Sequence, residues 1–152
     1  MNVTNVKFDT APASKILAPI DGSQCSFAAA SEAIQLAKKL NSEVIVLHVI
    51  SIPTYAVLFR TKKKIYREAS KEAEKWFNRI KAEGEKEGVK VTAKAVKAMM
   101  SVVGTMVNFA SKNNIDLIVL GTRGKTGFRE VLLGSVATGV ATYAPCSVLV
   151  VR

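Results

Sequence analysis

Short apolar runs alternate along this chain with segments whose apolar residues recur every three or four positions. The runs are KILAPI at 15–20, EVIVLHVI at 43–50, LIVL at 117–120 and CSVLVV at 146–151. A run of Val, Ile and Leu that is apolar on both faces, yet too short for a helix, suits a strand whose sheet is covered by helices on both sides. Strands joined through an intervening helix must lie parallel, because the helix returns the chain to its starting edge. This alternation therefore restricts the chain to the α/β class before any single residue is considered.

The helical segments supply their own punctuation. Ser23 is placed to cap a helix in which Phe27, Ala30, Ile34 and Ala37 recur at helical spacing, closing at Lys38, Lys39 and Asn41. From Thr61 to Glu83 the positions Ile65, Ala69, Ala73, Trp76, Phe77 and Ile80 mark a long amphipathic helix that ends near Gly84 and Gly88. Val89 to Val96 alternates Val89, Val91 and Ala93 with Lys90, Thr92 and Lys94, the pattern of an edge strand guarded by outward lysines. Ser101 can cap a further helix with Val102, Val103, Met106, Val107 and Ala110 on its inner face, stopping at Asn113 and Asn114. A last helix is expected from an N-cap at Ser135 to Tyr143, just before Pro145.

The order is then βαβαβαβαβ: a doubly wound, five-stranded parallel sheet with right-handed crossovers and helices on both faces. In such sheets ligands lie beyond the carboxyl ends of the strands, where the strand order reverses. The loops expected to meet there are Pro19 to Ser23, after the first strand, and Gly121 to Ser135, after the fourth.

The second of these loops carries Gly121, Gly124, Gly127 and Gly134 together with Arg123, Lys125 and Arg129. Glycine lets backbone N–H groups approach a polyanion, and a helix amino terminus adds unpaired N–H groups and the positive end of a dipole. Phosphate is the natural ligand of such a place. A Walker A loop is excluded on spacing: Gly121 and Gly124 have two residues between them where four are needed, and Val119 stands where the first glycine should be. No G-x-G-x-x-G follows a strand, so the dinucleotide motif is absent too.

Composition narrows the alternatives. At 152 residues and 49% hydrophobic content the chain can bury one full core, expected over 14–152, with 1–13 an aperiodic tail containing Pro12. No apolar run is long enough to span a bilayer and the amino terminus has no leader pattern, so a soluble, cytoplasmic protein without membrane contact is expected. Cys25 and Cys146 have no metal or redox spacing and read as small core residues. His48, the only histidine, has no partner for metal or base chemistry and reads as a hydrogen-bonded core residue.

The net charge of +10 is concentrated between Thr61 and Lys97, where 12 basic residues face 6 acidic ones. Its lysines alternate with glutamates and its aromatics fall at core spacing, so a solvated helix face is expected rather than a nucleic-acid surface. A nucleic-acid or acidic-partner module using 62–97 is the alternative.

One long motif remains: G-x2-G-x9-G-[ST], formed by Gly121, Gly124, Gly134 and Ser135. It resembles the nucleotide-binding signature of the universal stress protein family, in its ATP-binding branch. The resemblance extends to ILAPIDGS at 16–23, VIVLHVI at 44–50, IDLIVLGTRGKTG at 115–127, LLGSVATGV at 132–140 and APCSVLVVR at 144–152. It implies a Rossmann-like fold of the adenine nucleotide alpha hydrolase type, and ATP as ligand, with ADP or AMP as alternatives and Mg as companion ion. By that resemblance Asp21 and Val49 contact the adenosine end, and Pro19 and Ile20 shape the pocket. Leu120, Gly121, Arg123 and Gly124 run past ribose and phosphates, Gly134, Ser135 and Val136 cradle the phosphates, and Lys125 helps balance their charge. Ala137 departs from the pattern, standing where relatives often carry a second hydroxyl. The resemblance also implies a homodimer through the final strand, 146–151, which lacks guarding lysines. A regulatory switch or scaffold responding to stress is the expected role. A slow ATPase of the same fold is the alternative, disfavoured because no motif places a catalytic base.

Overall fold

A computed structural model describes residues 14–52, 62–123 and 133–152. The expectations for the tail 1–13, for most of the loop 51–60 and for Gly124, Lys125, Gly127 and Arg129 fall outside the described residues. Nine elements alternate: β1 (Lys15–Pro19), α1 (Gln24–Leu40), β2 (Glu43–Ile50), α2 (Lys62–Glu87), β3 (Val91–Lys97), α3 (Val102–Lys112), β4 (Leu117–Gly121), α4 (Ser135–Tyr143) and β5 (Ser147–Val151). The strands form one parallel sheet in the order β3-β2-β1-β4-β5. The order reverses between β1 and β4, which is where the two loops were expected to meet.

The apolar runs become the centre of this sheet because their side chains are apolar on both faces. Ile16 pairs with Val44 on one side and Leu117 on the other, and all of β1 except Lys15 is buried. One core joins the inner faces of α1 and α2 through Ile16, Ile34, Val44, Val46, Phe77 and Ile80. A second, on the opposite face, joins α3 and α4 through Leu17, Leu47, Met106, Ile118 and Val140. Each fully buried Ile, Leu or Val contributes about 1.5–3 kcal/mol, so the sheet's centre holds the fold together.

The caps follow the expected chemistry at two helices. Ser23 Oγ accepts from the Ser26 amide at 3.2 Å, and Ser101 Oγ accepts from the Gly104 amide at 2.9 Å. Asn41, at φ 53°, takes the left-handed conformation that ends α1.

Several boundaries differ from the sequence reading. α2 does not stop at Glu83 but continues through Gly84 to Glu87. Gly84 is buried against β3, where an added Cβ would overlap the Val91 side chain, so this glycine serves packing inside the helix. The turn falls instead at Gly88, with φ 69° and the Val89 amide bonded back to the Gly84 carbonyl at 2.8 Å. β3 consequently begins at Val91, with Val89 buried ahead of it, and β5 begins at Ser147. α4 is capped by Gly134 rather than Ser135, which occupies the first helical position. Neither cysteine is fully buried: both are free and half-buried. Burial, and then the nearby Asp116 carboxylate, push the Cys146 thiol above its usual range.

Asp116 fixes the end of the sheet opposite the loops. Its Oδ2 accepts from the amides of Ser14 and Lys15, at 2.8 and 3.0 Å, and from the Ser14 hydroxyl at 2.9 Å. Burial pushes its carboxyl upward, but the Lys15 and Ser14 amides outweigh that and hold it below the usual range.

The basic segment spends part of its charge on the fold. Lys90 pairs with Glu43 at 2.7 Å, Glu87 with Lys38 of α1 at 2.8 Å, and the Arg79 guanidinium lies 4.3 Å over the Phe27 ring.

Candidate functional site

A cleft of about 490 Å³ opens at the carboxyl end of the sheet, between β1 and β4. That size lies within the roughly 300–1,000 Å³ of small-molecule sites. Its floor is made by the strand ends: Pro19 closing β1 with Ile20 and Asp21 after it, His48 and Val49 in β2, and Leu120 and Gly121 in β4. The start of α4 contributes Gly134, Ser135 and Val136, and Arg123 stands between the two groups. The structure thus brings together every expected site residue that it describes. Gly124 and Lys125 lie outside the described residues.

The turn after β1 is held closely. Asp21 Oδ1 accepts from the Ser23 amide at 3.0 Å, and the Asp21 amide points at Ser26 Oγ at 3.4 Å. Gly22 adopts φ 82°, a left-handed conformation that suits glycine, and an added Cβ would overlap the Trp76 ring. Ser23 Oγ reaches the Arg123 carbonyl at 3.5 Å, which ties this turn to the loop after β4.

Two glycines of the motif play other parts than bare approach to a ligand. At Gly121 a Cβ would lie 2.8 Å from the carbonyl carbon and oxygen of Cys25, so this residue lets β4 pass under the first turn of α1. Gly134 donates its own N–H to the Thr122 carbonyl at 2.7 Å, which fixes where α4 begins. The first intrahelical bond there runs from the Thr138 amide to the Gly134 carbonyl at 2.9 Å. The amides of Ser135, Val136 and Ala137 precede it and have no partner within the helix, and no side chain caps them among the described residues.

The electrostatics favour an anion. α4 has no acidic residue in its first turn, so the positive end of its dipole is not neutralised locally. The Arg123 Nε is buried and has no hydrogen-bond partner among the described residues, a costly state that an anionic ligand would relieve. Metal ligands are sparse: no group of three or more His, Cys, Asp or Glu is placed to hold an ion among the described residues. Asp21 is the one carboxylate on the described wall of the cleft.

Some lining residues were not legible as site residues. Val102 and Met106 of α3 form an apolar wall; their helical spacing marked them only as core. Thr122 is buried, donates its amide to Val151 at 2.8 Å and accepts from Gly134, so it links β5 to α4. Ser26 is likewise buried, its hydroxyl bonded to the Ser23 carbonyl at 2.8 Å. His48 lines the cleft as well as bonding to the Ile20 carbonyl, so it is more than a core residue. Ala137 is buried at the junction of cleft and core.

The fold and cleft define a doubly wound α/β domain with an open cleft at its topological switch point. The chain belongs to the universal stress protein family, whose model matches residues 12–152. Universal stress protein MJ0531 of Methanocaldococcus jannaschii is 37% identical over 143 residues, covering 91% of this chain and 81% of that protein. The solved structure of hypothetical protein MJ0577 is similar with a TM-score of 0.81 at 31% identity, over 91% of this chain and 94% of that one. A universal stress protein from Archaeoglobus fulgidus, solved in complex with dAMP, shares the fold with a TM-score of 0.70 at 22% identity, over 91% of this chain and 98% of that one. Among the described residues no helix is long and apolar enough to cross a membrane.

Proposed function

We propose that this chain binds an adenine nucleotide in the cleft, ATP with Mg²⁺ foremost and ADP or AMP as alternatives, and serves as a nucleotide-dependent switch or scaffold in a cytoplasmic stress response. The observation that carries this reading is the amino end of α4, without partners among the described residues, facing a cleft that also holds the Arg123 Nε, likewise without one among them. Phosphates would take the amides of Ser135 and Val136 and the Arg123 guanidinium, with Gly124 and Lys125 completing the loop. The nucleoside would lie against Val49, Ile20, Leu120 and Met106, with Pro19 and Gly121 shaping the floor and Asp21 as its polar acceptor. A relative of the same fold, solved with dAMP, supports an adenine nucleotide as the ligand class. Binding with at most slow hydrolysis suits a cleft whose single described carboxylate is already engaged by the Ser23 amide.

Mass spectrometry of the supernatant from denatured, freshly purified protein should reveal a co-purified adenine nucleotide. Added MgATP at a hundredfold excess over Kd should stabilise the protein by about 2.7 kcal/mol, or roughly 5–10 °C in Tm. The absence of both a bound nucleotide and a thermal shift would remove this reading.

The same reading includes a homodimer through 146–151. β5 is an edge strand that pairs only with β4 among the described residues, it carries no charge before Arg152, and its Leu149 is exposed, as is Tyr143 at the end of α4. An edge of this kind favours pairing with a twofold copy. Light scattering should give twice the chain mass, and Leu149→Lys should return it to one; a monomeric wild type at micromolar concentration would refute the pairing.

A further inference from the structure

We propose that His48 is a positioning residue for this cleft: its ring holds the Ile20–Asp21 peptide in place and so sets affinity for the nucleoside part of the ligand. The proposal rests on the adenine-nucleotide reading above. His48 Nδ1 lies 2.8 Å from the Ile20 carbonyl oxygen. A carbonyl can only accept, so Nδ1 must carry the proton, and the neutral ring is the Nδ1–H tautomer with its lone pair on Nε2. The ring also meets the indole of Trp76 edge-on, with centroids 5.1 Å apart and planes at 86°. Trp76 in turn packs against Gly22, leaving no room for a Cβ there.

Asp21 is therefore fixed from both sides, by the imidazole on the peptide before it and by the indole on the residue after it. The Ile20 amide completes the hold, donating to the Leu47 carbonyl at 2.8 Å. The contact from the Asp21 amide to Ser26 is looser, at 3.4 Å, so the imidazole bond is among the shortest holding this turn. A ligand that reads the Asp21 carboxylate senses His48 without touching its Nδ1.

Two substitutions separate the donor from the ring. His48→Asn keeps an N–H donor near the Nδ1 position but gives up the aromatic edge. His48→Phe keeps a ring beside Trp76 but cannot donate. ATP and inorganic tripolyphosphate are titrated calorimetrically into wild type and both variants, while ¹⁵N NMR reads the His48 tautomer and the Asp21 and Gly22 amides. Loss of one positioning hydrogen bond in the Phe variant should weaken ATP about tenfold, leave tripolyphosphate within about twofold, and spare ATP binding in the Asn variant to within about threefold. The Asp21 and Gly22 amides should shift in the Phe variant and stay near their wild-type positions in the Asn variant.

An Nδ1 without its proton in the neutral wild-type ring overturns the proposal. So does a Phe variant that binds ATP like wild type, or one that loses ATP and tripolyphosphate equally. A wild type that binds no nucleotide would defeat the reading of the cleft. The positioning role would then be decided by the amides: a shift confined to the Phe variant supports it, and no shift overturns it.

Discussion

Gly134→Asp should abolish nucleotide binding while leaving the fold intact or slightly more stable. Gly134 is the N-cap of α4 at φ −67° and ψ 158°, a conformation any residue adopts, and aspartate is among the favoured caps. Its Cβ would come 3.1 Å from the Thr122 carbonyl, which asks for a shift of only a few tenths of an ångström. The new carboxylate would accept from the amide of Val136 or Ala137, at the α4 tip where phosphate is proposed to sit. A phosphate would then lose one or two charge-assisted bonds, each about 1.5–3 kcal/mol, and would face a like charge. Affinity should fall by about a hundredfold or more. Calorimetric titration with MgATP checks the loss and thermal melting checks the fold. Undiminished affinity in a folded variant would show that the α4 amino end does not hold the ligand.

Gly121→Ala should lower stability by about 1–3 kcal/mol, or roughly 3–10 °C in Tm, whereas Gly134→Ala should move Tm far less. Both glycines belong to the same motif, yet they meet different atoms. At Gly121 the new methyl would sit 2.8 Å from the carbonyl carbon and oxygen of Cys25 and 2.9 Å from its Cβ. Those atoms belong to the first turn of α1, which packs along β4 and cannot retreat without disturbing the core between Ile34 and Val119. Parallel melts of the two variants decide the matter: equal Tm values would mean that Gly121 is not required for helix packing.

The alternation of short apolar runs with helical periodicity was enough to read the α/β class and the doubly wound order, because strands buried on both faces must be apolar throughout. The meeting of Pro19–Ser23 with Gly121, Arg123, Gly134 and Ser135, the described ends of the loop after β4, was expected from the doubly wound class, since a reversal of strand order leaves a crevice at the carboxyl end of the sheet. The family motif then placed Asp21, Val49, Arg123 and the α4 start around it, and the cleft contains them all.

Boundaries were less legible because a glycine means different things in different company. Gly84 reads as a stop in a linear sequence, but β3 needs its bare backbone, so the helix continues and Gly88 ends it. Ser135 reads as a cap, but the Thr122 carbonyl takes the Gly134 amide and starts the helix one residue earlier. Val102 and Met106 were recognised as apolar, though whether a core residue also faces a ligand depends on what lies across from it.

The sequence alone determined the α/β class, the alternation of strands and helices along the chain and the family, because these depend on local periodicity and on a spacing that a single chain carries. The tertiary structure alone decided where α4 begins, which glycines serve packing, and that His48 and Trp76 grip the turn bearing Asp21. Those outcomes depend on contacts between residues far apart in the chain, and no local pattern records what a side chain will find opposite it.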